Sequence, residues 1–147
     1  RISNFSLLSK SQKLNSNEIP INKESIRQAW FPSGFLEEAN LSFPISLEMY
    51  LNNPEKITSY ELAASKYGIE STNRMPKSWR FQGYDIINKK WIDLHSVENC
   101  SEWEINGKRK FNFSNSQIYS TYRFQITEIM NNGNVIRLES INLFKNK

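Results

Sequence analysis

A chain of 147 residues has room for one ordinary hydrophobic core and too little for two. Its 19 Lys and Arg against 15 Asp and Glu leave a net charge of +4, and no basic block marks a phosphate-binding track, so no nucleic-acid partner is expected. One cysteine, Cys100, excludes an internal disulfide, and no apolar run approaches the ~20 residues of a transmembrane segment.

The first 24 residues, Arg1 to Glu24, carry the weakest pattern. Ile2–Leu8 reads as a short edge strand and Ser9–Asn17 as a polar loop. The chain opens without a basic-then-apolar leader, as a processed chain or a piece of something longer would. Trp30-Phe31-Pro32-Ser33-Gly34-Phe35 is an aromatic cluster with turn residues inside it. Two readings stand for it: Trp30 plugs one end of the core and Phe35 caps it, or the rings form a stacking platform.

From Ile45 the alternation becomes regular. Ile45, Leu47, Met49 and Leu51 fall at every second place, the period of a strand with one buried face. Asn52-Asn53-Pro54-Glu55 has turn chemistry, and Ile57–Ala64 alternates again. A loop from Ser65 to Pro76 leads into a strand over Ser78–Tyr84, with Gly83 at its end where a bulge or close turn is needed. Trp79 and Trp91 sit in strand patterns and are expected in the core, and Tyr84–Lys90 forms a hairpin tip. Within Glu98–Lys110, Asn106-Gly107 is a hairpin signal, and Lys108–Phe113 follows as a strand with Phe111 and Phe113 on one face. Tyr122, Phe124 and Ile126 alternate with Arg123, Gln125 and Thr127, and the turn Asn131-Asn132-Gly133-Asn134 leads to a last strand over Ile136–Phe144.

Four of these segments keep a recognisable order: Ser59-Tyr60-Glu61-Leu62, then Pro76-Lys77-Ser78-Trp79-Arg80-Phe81-Gln82-Gly83, then Trp91-Ile92-Asp93-Leu94, and finally Thr121–Thr127 with Ile136–Phe144. Together they resemble the coagulation factor 5/8 type C (discoidin) family of galactose-binding-like sandwiches, a group with many bacterial carbohydrate-binding modules. The resemblance implies an all-β jelly-roll sandwich of about eight antiparallel strands. It implies one domain over residues 1–147, with 45–144 the matched core and 1–24 an arm.

What the resemblance implies about function is a non-catalytic module, lectin-like, that recognises a carbohydrate or another cell-surface ligand through loops at one end of the sandwich. The residues it points to are Trp30, Phe35, Lys66, Tyr67, Arg74 and Asn132, the last within Met130–Asn134. It favours extracellular, cell-surface or virion-surface display. The alternative is a structural or adaptor domain that has lost the ligand site, such as a viral tail or capsid decoration or a part of a multi-subunit complex. Relatives often bind a structural calcium ion through an early Asp-Gly pair. That pair is missing from Asn22–Trp30, where Glu24, Asn22 and Ser25 supply too few carboxylate oxygens, so no metal or cofactor is expected. Membrane binding, known among clotting relatives, would rest on Phe31 and Phe35.

Catalysis has little to work with. His95 is the one histidine, read as a strand-end turn residue, and neither Asp93 nor Cys100 is framed with it in a motif. Metal-ligand spacing and a Gly-rich phosphate loop are absent, and adjacent Glu37-Glu38 seldom converge on one substrate. The chain is not expected to be an enzyme.

Overall fold

The computed structural model describes residues 11–15, 25–26, 36–38, 43–64, 69–104, 107–133, 136–138 and 140–145. Among them, β1 (Ser11–Asn15), β4 (Ile45–Glu55), β9 (Tyr119–Ile129), β6 (Pro76–Asp85) and β7 (Lys90–Val97) lie side by side in that order as a five-stranded sheet. Facing it is a four-stranded sheet in the order β2 (Ser25–Ile26), β11 (Ser140–Lys145), β5 (Ile57–Ala63), β8 (Lys108–Asn112). A two-stranded ribbon pairs β10 (Ile136–Leu138) with β3 (Leu36–Glu38). The architecture is a jelly-roll β-sandwich.

The expected alternation builds the core. Ile45, Leu47 and Met49 of β4 pair with Ile126, Phe124 and Tyr122 of β9, and all six are buried. Tyr60 of β5 enters from the opposite sheet, fully buried, with ring centroids of Phe81 and Phe124 both 4.9 Å away and Phe111 at 5.3 Å. Aromatic rings fill the space between sheets with few side chains, and tilted pairs add to what area burial supplies.

The described residues form eleven strands, three of them only two or three residues long, in keeping with the expected sandwich of about eight. Several local expectations are overturned. β1 runs parallel to β4, Ser11 opposite Ser46 through Asn15 opposite Tyr50. Most of the stretch read as a polar loop is thus an edge strand, recruited by the open edge of β4. Ile2–Leu8 lies outside the described residues. Asn52–Glu55 is no turn: β4 continues to Glu55, with a register shift between Tyr50, opposite Thr121, and Glu55, opposite Tyr119. Pro54 is tolerated there because a bulge does not need its missing N–H.

Residues 98–104 belong to a connection, which closes in a tight turn where Gly107 N donates to Glu104 O at 2.9 Å. They cross from the edge of one sheet to the edge of the other, with Cys100 N donating to Lys77 O at 2.7 Å and Trp103 Nε1 to Pro76 O at 3.0 Å. Gly107 then joins β5, its carbonyl accepting from Ala64 N at 2.8 Å, while Asn106 lies outside the described residues. The last strand is split: β10 pairs with β3, and β11 pairs with β5. Gly83 sits inside β6 rather than at its end, because a Cβ there would occupy the ring of Tyr119. The strand before it begins at Pro76 and runs to Asp85.

β7 holds the most informative departure. Phe81 pairs with His95, but Gln82 pairs with Asp93, so Leu94 is an extra residue. This bulge reverses the faces on either side of it. His95 points inward to Tyr60, whereas Trp91 points outward to Tyr84, ring centroids 5.0 Å apart. Trp79 is in the core, as expected; Trp91 is not.

Candidate functional site

Strand pairing defines one end of the sandwich. Ala63 lies opposite Lys108 on one side and Ser140 on the other, and Pro76 lies opposite Ile129. The chain therefore leaves β5, enters β6 and leaves β9 at the same end. The loop expected between Ser65 and Pro76 contains a 3-10 helix, Ile69–Arg74, and β9 runs straight into a second one, Met130–Asn132.

A backbone hydrogen bond ties the start of the second helix to Met75, the residue that follows the first. Met130 N donates to Met75 O at 3.0 Å, and Met75 N donates to Thr72 O at 3.4 Å. Gly133 N closes the second helix on Met130 O at 3.2 Å. Met75 and Ile129 are buried beneath them, so the two helices are tied to the core. Asn131 and Asn132 adopt left-handed backbone angles, φ 58° and 51°. Asparagine enters that region more readily than most residues, and both side chains are exposed.

Of the six residues singled out from sequence, Arg74 and Asn132 are described, and the structure brings their two helices together. Trp30, Phe35, Lys66 and Tyr67 lie outside the described residues, as do Phe31, Asn22 to Glu24 and Asn134. The described neighbours of those segments converge on this end: Ala64 and Ile69 flank Lys66 and Tyr67, and Leu36, next to Phe35, lies opposite Leu138 at the close of β10. Asn73, exposed beside Arg74, was missed. Its only signal in the sequence was a Thr-Asn pair next to an arginine.

The arrangement gathers amide side chains and a guanidinium at one end of the sandwich. His95 is no turn residue: it lies within β7, half-buried, with Tyr60 Oη 2.7 Å from its Nδ1. Trp79 Nε1 donates to the same hydroxyl at 2.7 Å, so the tyrosine hydrogen goes to a neutral imidazole. Burial pushes the His95 pKa down and the Tyr60 pKa up. Cys100 is buried, its thiol raised by desolvation, with Arg109 Nη1 3.1 Å from its sulfur. No group of three His, Cys, Asp or Glu side chains among the described residues could hold a metal ion. Among those residues, too, no helix is long and apolar enough to cross a membrane.

No family model matches the sequence, and no curated protein matches it. Solved structures do match in shape. The family 32 carbohydrate-binding module of Streptococcus pneumoniae EndoD is 14% identical, with 76% of this chain and 75% of that one covered at a TM-score of 0.59. The module CBM32-1 from a Clostridium perfringens family 31 glycoside hydrolase is also 14% identical, with 77% and 78% covered at 0.59. The family 32 module of C. perfringens NanJ, solved in complex with galactose, is 14% identical, with 82% and 76% covered at 0.54. At these identities the likeness shows the fold alone, the jelly-roll β-sandwich expected from the sequence.

Proposed function

We propose that this chain is a non-catalytic module that recognises a carbohydrate at the end of the sandwich where helices 69–74 and 130–132 meet. The observation that carries the reading is the pair of exposed asparagines, Asn131 and Asn132, fixed in left-handed turns against the helix that bears Asn73 and Arg74. Side-chain amides donate and accept at once, which suits the paired lone pairs and hydrogens of sugar hydroxyls. The shape shared with carbohydrate-binding modules, one of them holding galactose, supports the same reading. Display outside the cell or on a surface follows from that role, and Trp30, Phe35, Lys66 and Tyr67 would complete the site.

Replacing Asn131 and Asn132 together by glycine tests it, because glycine keeps the backbone angles while deleting both amides. Binding to the best ligand on a glycan array should weaken about tenfold or more, the worth of one or two hydrogen bonds. Unchanged binding by a protein of unchanged stability would refute the placement.

A second reading, a structural or adaptor domain within a larger assembly, has one observation in its favour. At the opposite end Ile86 and Ile87 are 69% and 85% exposed. They are held out by Asp85, whose Oδ1 accepts from Ile87 N and Asn88 N, both at 3.1 Å. Replacing both isoleucines by serine in the assembled parent should then release the module; retention would count against this reading.

A further inference from the structure

The end of the sandwich away from Asn131 and Asn132 is formed by three connections. β6 starts at Pro76, beside Ile129, and runs to Asp85, which pairs with Lys90 at the start of β7, so the turn 86–89 lies at the opposite end. There too β4 gives way to β5 between Glu55 and Ile57, and Glu55 lies opposite Tyr119, the first residue of β9. Ile118 precedes Tyr119 and so belongs to the same end. A turn normally shows Gly, Asn or Asp to solvent, yet this one shows Ile86 and Ile87. Among the described residues, three of the four large apolar side chains that are exposed gather here: Ile86, Ile87 and Ile118. Single exposed apolar residues are ordinary; a group at one end is not. The hairpin is also well tied. Asp85 Oδ1 accepts from Ile87 N and Asn88 N, and its Oδ2 accepts from Asn88 Nδ2 at 2.8 Å.

Behind that apex the chemistry changes in order. Lys89 and Lys90 follow the isoleucines, both exposed. One pair further along the hairpin, Tyr84 lies opposite Trp91, both half-buried, with ring centroids 5.0 Å apart. Aliphatic side chains at a convex tip, then ammonium groups and amphipathic rings, match the layers of a bilayer surface, acyl chains below and headgroups above. The charges of this end agree. Its described residues carry Lys56, Lys89, Lys90 and Lys145 against Asp85 and Glu55. Asp85 is turned into the hairpin, and Glu55 is paired with Lys145 at 3.4 Å. The loop from Ser114 to Ile118 adds no charge. A second copy of the chain would set lysine against lysine, whereas an anionic surface meets them with the opposite sign.

We propose that the 85–90 hairpin, together with Ile118, docks this module on an anionic phospholipid bilayer. Ile86 and Ile87 enter the acyl layer, which takes both without a preformed pocket, and Lys89 and Lys90 meet lipid phosphates. Docking at this end leaves Asn131 and Asn132 facing away from the bilayer, so lipid and a ligand at the loop end can be held together. A few aliphatic side chains and two lysines give a weak, reversible attachment rather than an anchor.

The test is co-sedimentation of the intact protein with vesicles of pure phosphatidylcholine and of phosphatidylcholine containing one-third phosphatidylserine. The mixed vesicles should carry the protein down, the neutral ones about tenfold less, and added salt should release it. Ile86→Ser with Ile87→Ser should weaken binding about tenfold or more, and Lys89→Gln with Lys90→Gln about tenfold. All four side chains are exposed, so the urea midpoint of both variants should match the parent's. The glycine pair at 131 and 132 should leave vesicle binding intact, which separates this surface from the loop end. No binding to the mixed vesicles, equal binding to the neutral ones, or undiminished binding by the isoleucine variant would overturn the proposal. Release from the parent assembly by that variant, without any vesicle binding, would assign the hairpin to a protein partner instead.

Discussion

The two faces of the five-stranded sheet are made from alternate residues of the same strands, and each carries a tryptophan and a chain of hydrogen bonds. On the inner face the chain runs from Trp79 Nε1 to the Tyr60 hydroxyl to His95 Nδ1. On the outer face it runs from Arg123 Nε through Gln82 to Asp93, with Arg123 stacked on Trp91. The inner chain satisfies the buried Trp79 indole and Tyr60 hydroxyl inside a ring of aromatics and ends at the half-buried His95, because buried donors without partners are costly. The outer chain lies on the solvent side of the sheet and ends at a guanidinium stacked on the Trp91 ring, so water can stand in for a lost bond there as it cannot inside the core.

This contrast can be broken by substitution. Tyr60→Phe should cost the most, about 2–3 kcal/mol of unfolding free energy by urea titration, since it strands a buried indole N–H and an imidazole nitrogen. A loss below ~0.5 kcal/mol would show that the inner chain is dispensable. Gly83→Ala should follow at about 1–3 kcal/mol, because the new Cβ must displace the Tyr119 ring. On the outer face Arg123→Met should stay within about 0.5–1 kcal/mol of the parent, so large unfolding there would erase the distinction.

A pH dependence sharpens the same point. Desolvation lowers the His95 pKa in the folded protein below its ordinary value of about 6.5. The fold therefore prefers the neutral ring, and the stability it contributes is present above that ordinary value and lost as pH falls toward the lower folded one. The urea midpoint should drop between pH 7 and pH 5, and His95→Gln should flatten that segment of the profile. An identical slope in the variant would mean that other groups carry the effect.

Much of this was legible in the chain. The alternations at Ile45–Met49 and Tyr122–Ile126 placed the core strands, and Tyr60 and Trp79 lie at its centre. Faces failed where the register slips. Trp91, Asp93 and His95 share parity, so simple alternation puts all three on one side; the extra residue Leu94 separates them, and no local sequence signal marks it. The edge strand β1 was hidden because Ser-Gln-Lys-Leu-Asn has no strand pattern of its own and is defined by pairing with β4. At the loop end Asn132 could be read from an Asn-Asn-Gly run, but its partner helix over Ile69–Arg74 looked like polar loop, since 3-10 turns have no strong periodicity.

The most direct measurement is a galactose titration followed residue by residue on the amides of the labelled protein. The account requires shifts at Asn73, Arg74, Asn131, Asn132 and Gly133, and their loss when glycine replaces Asn131 and Asn132. Saturating galactose and a broad glycan array that leave those five amides unmoved would contradict it.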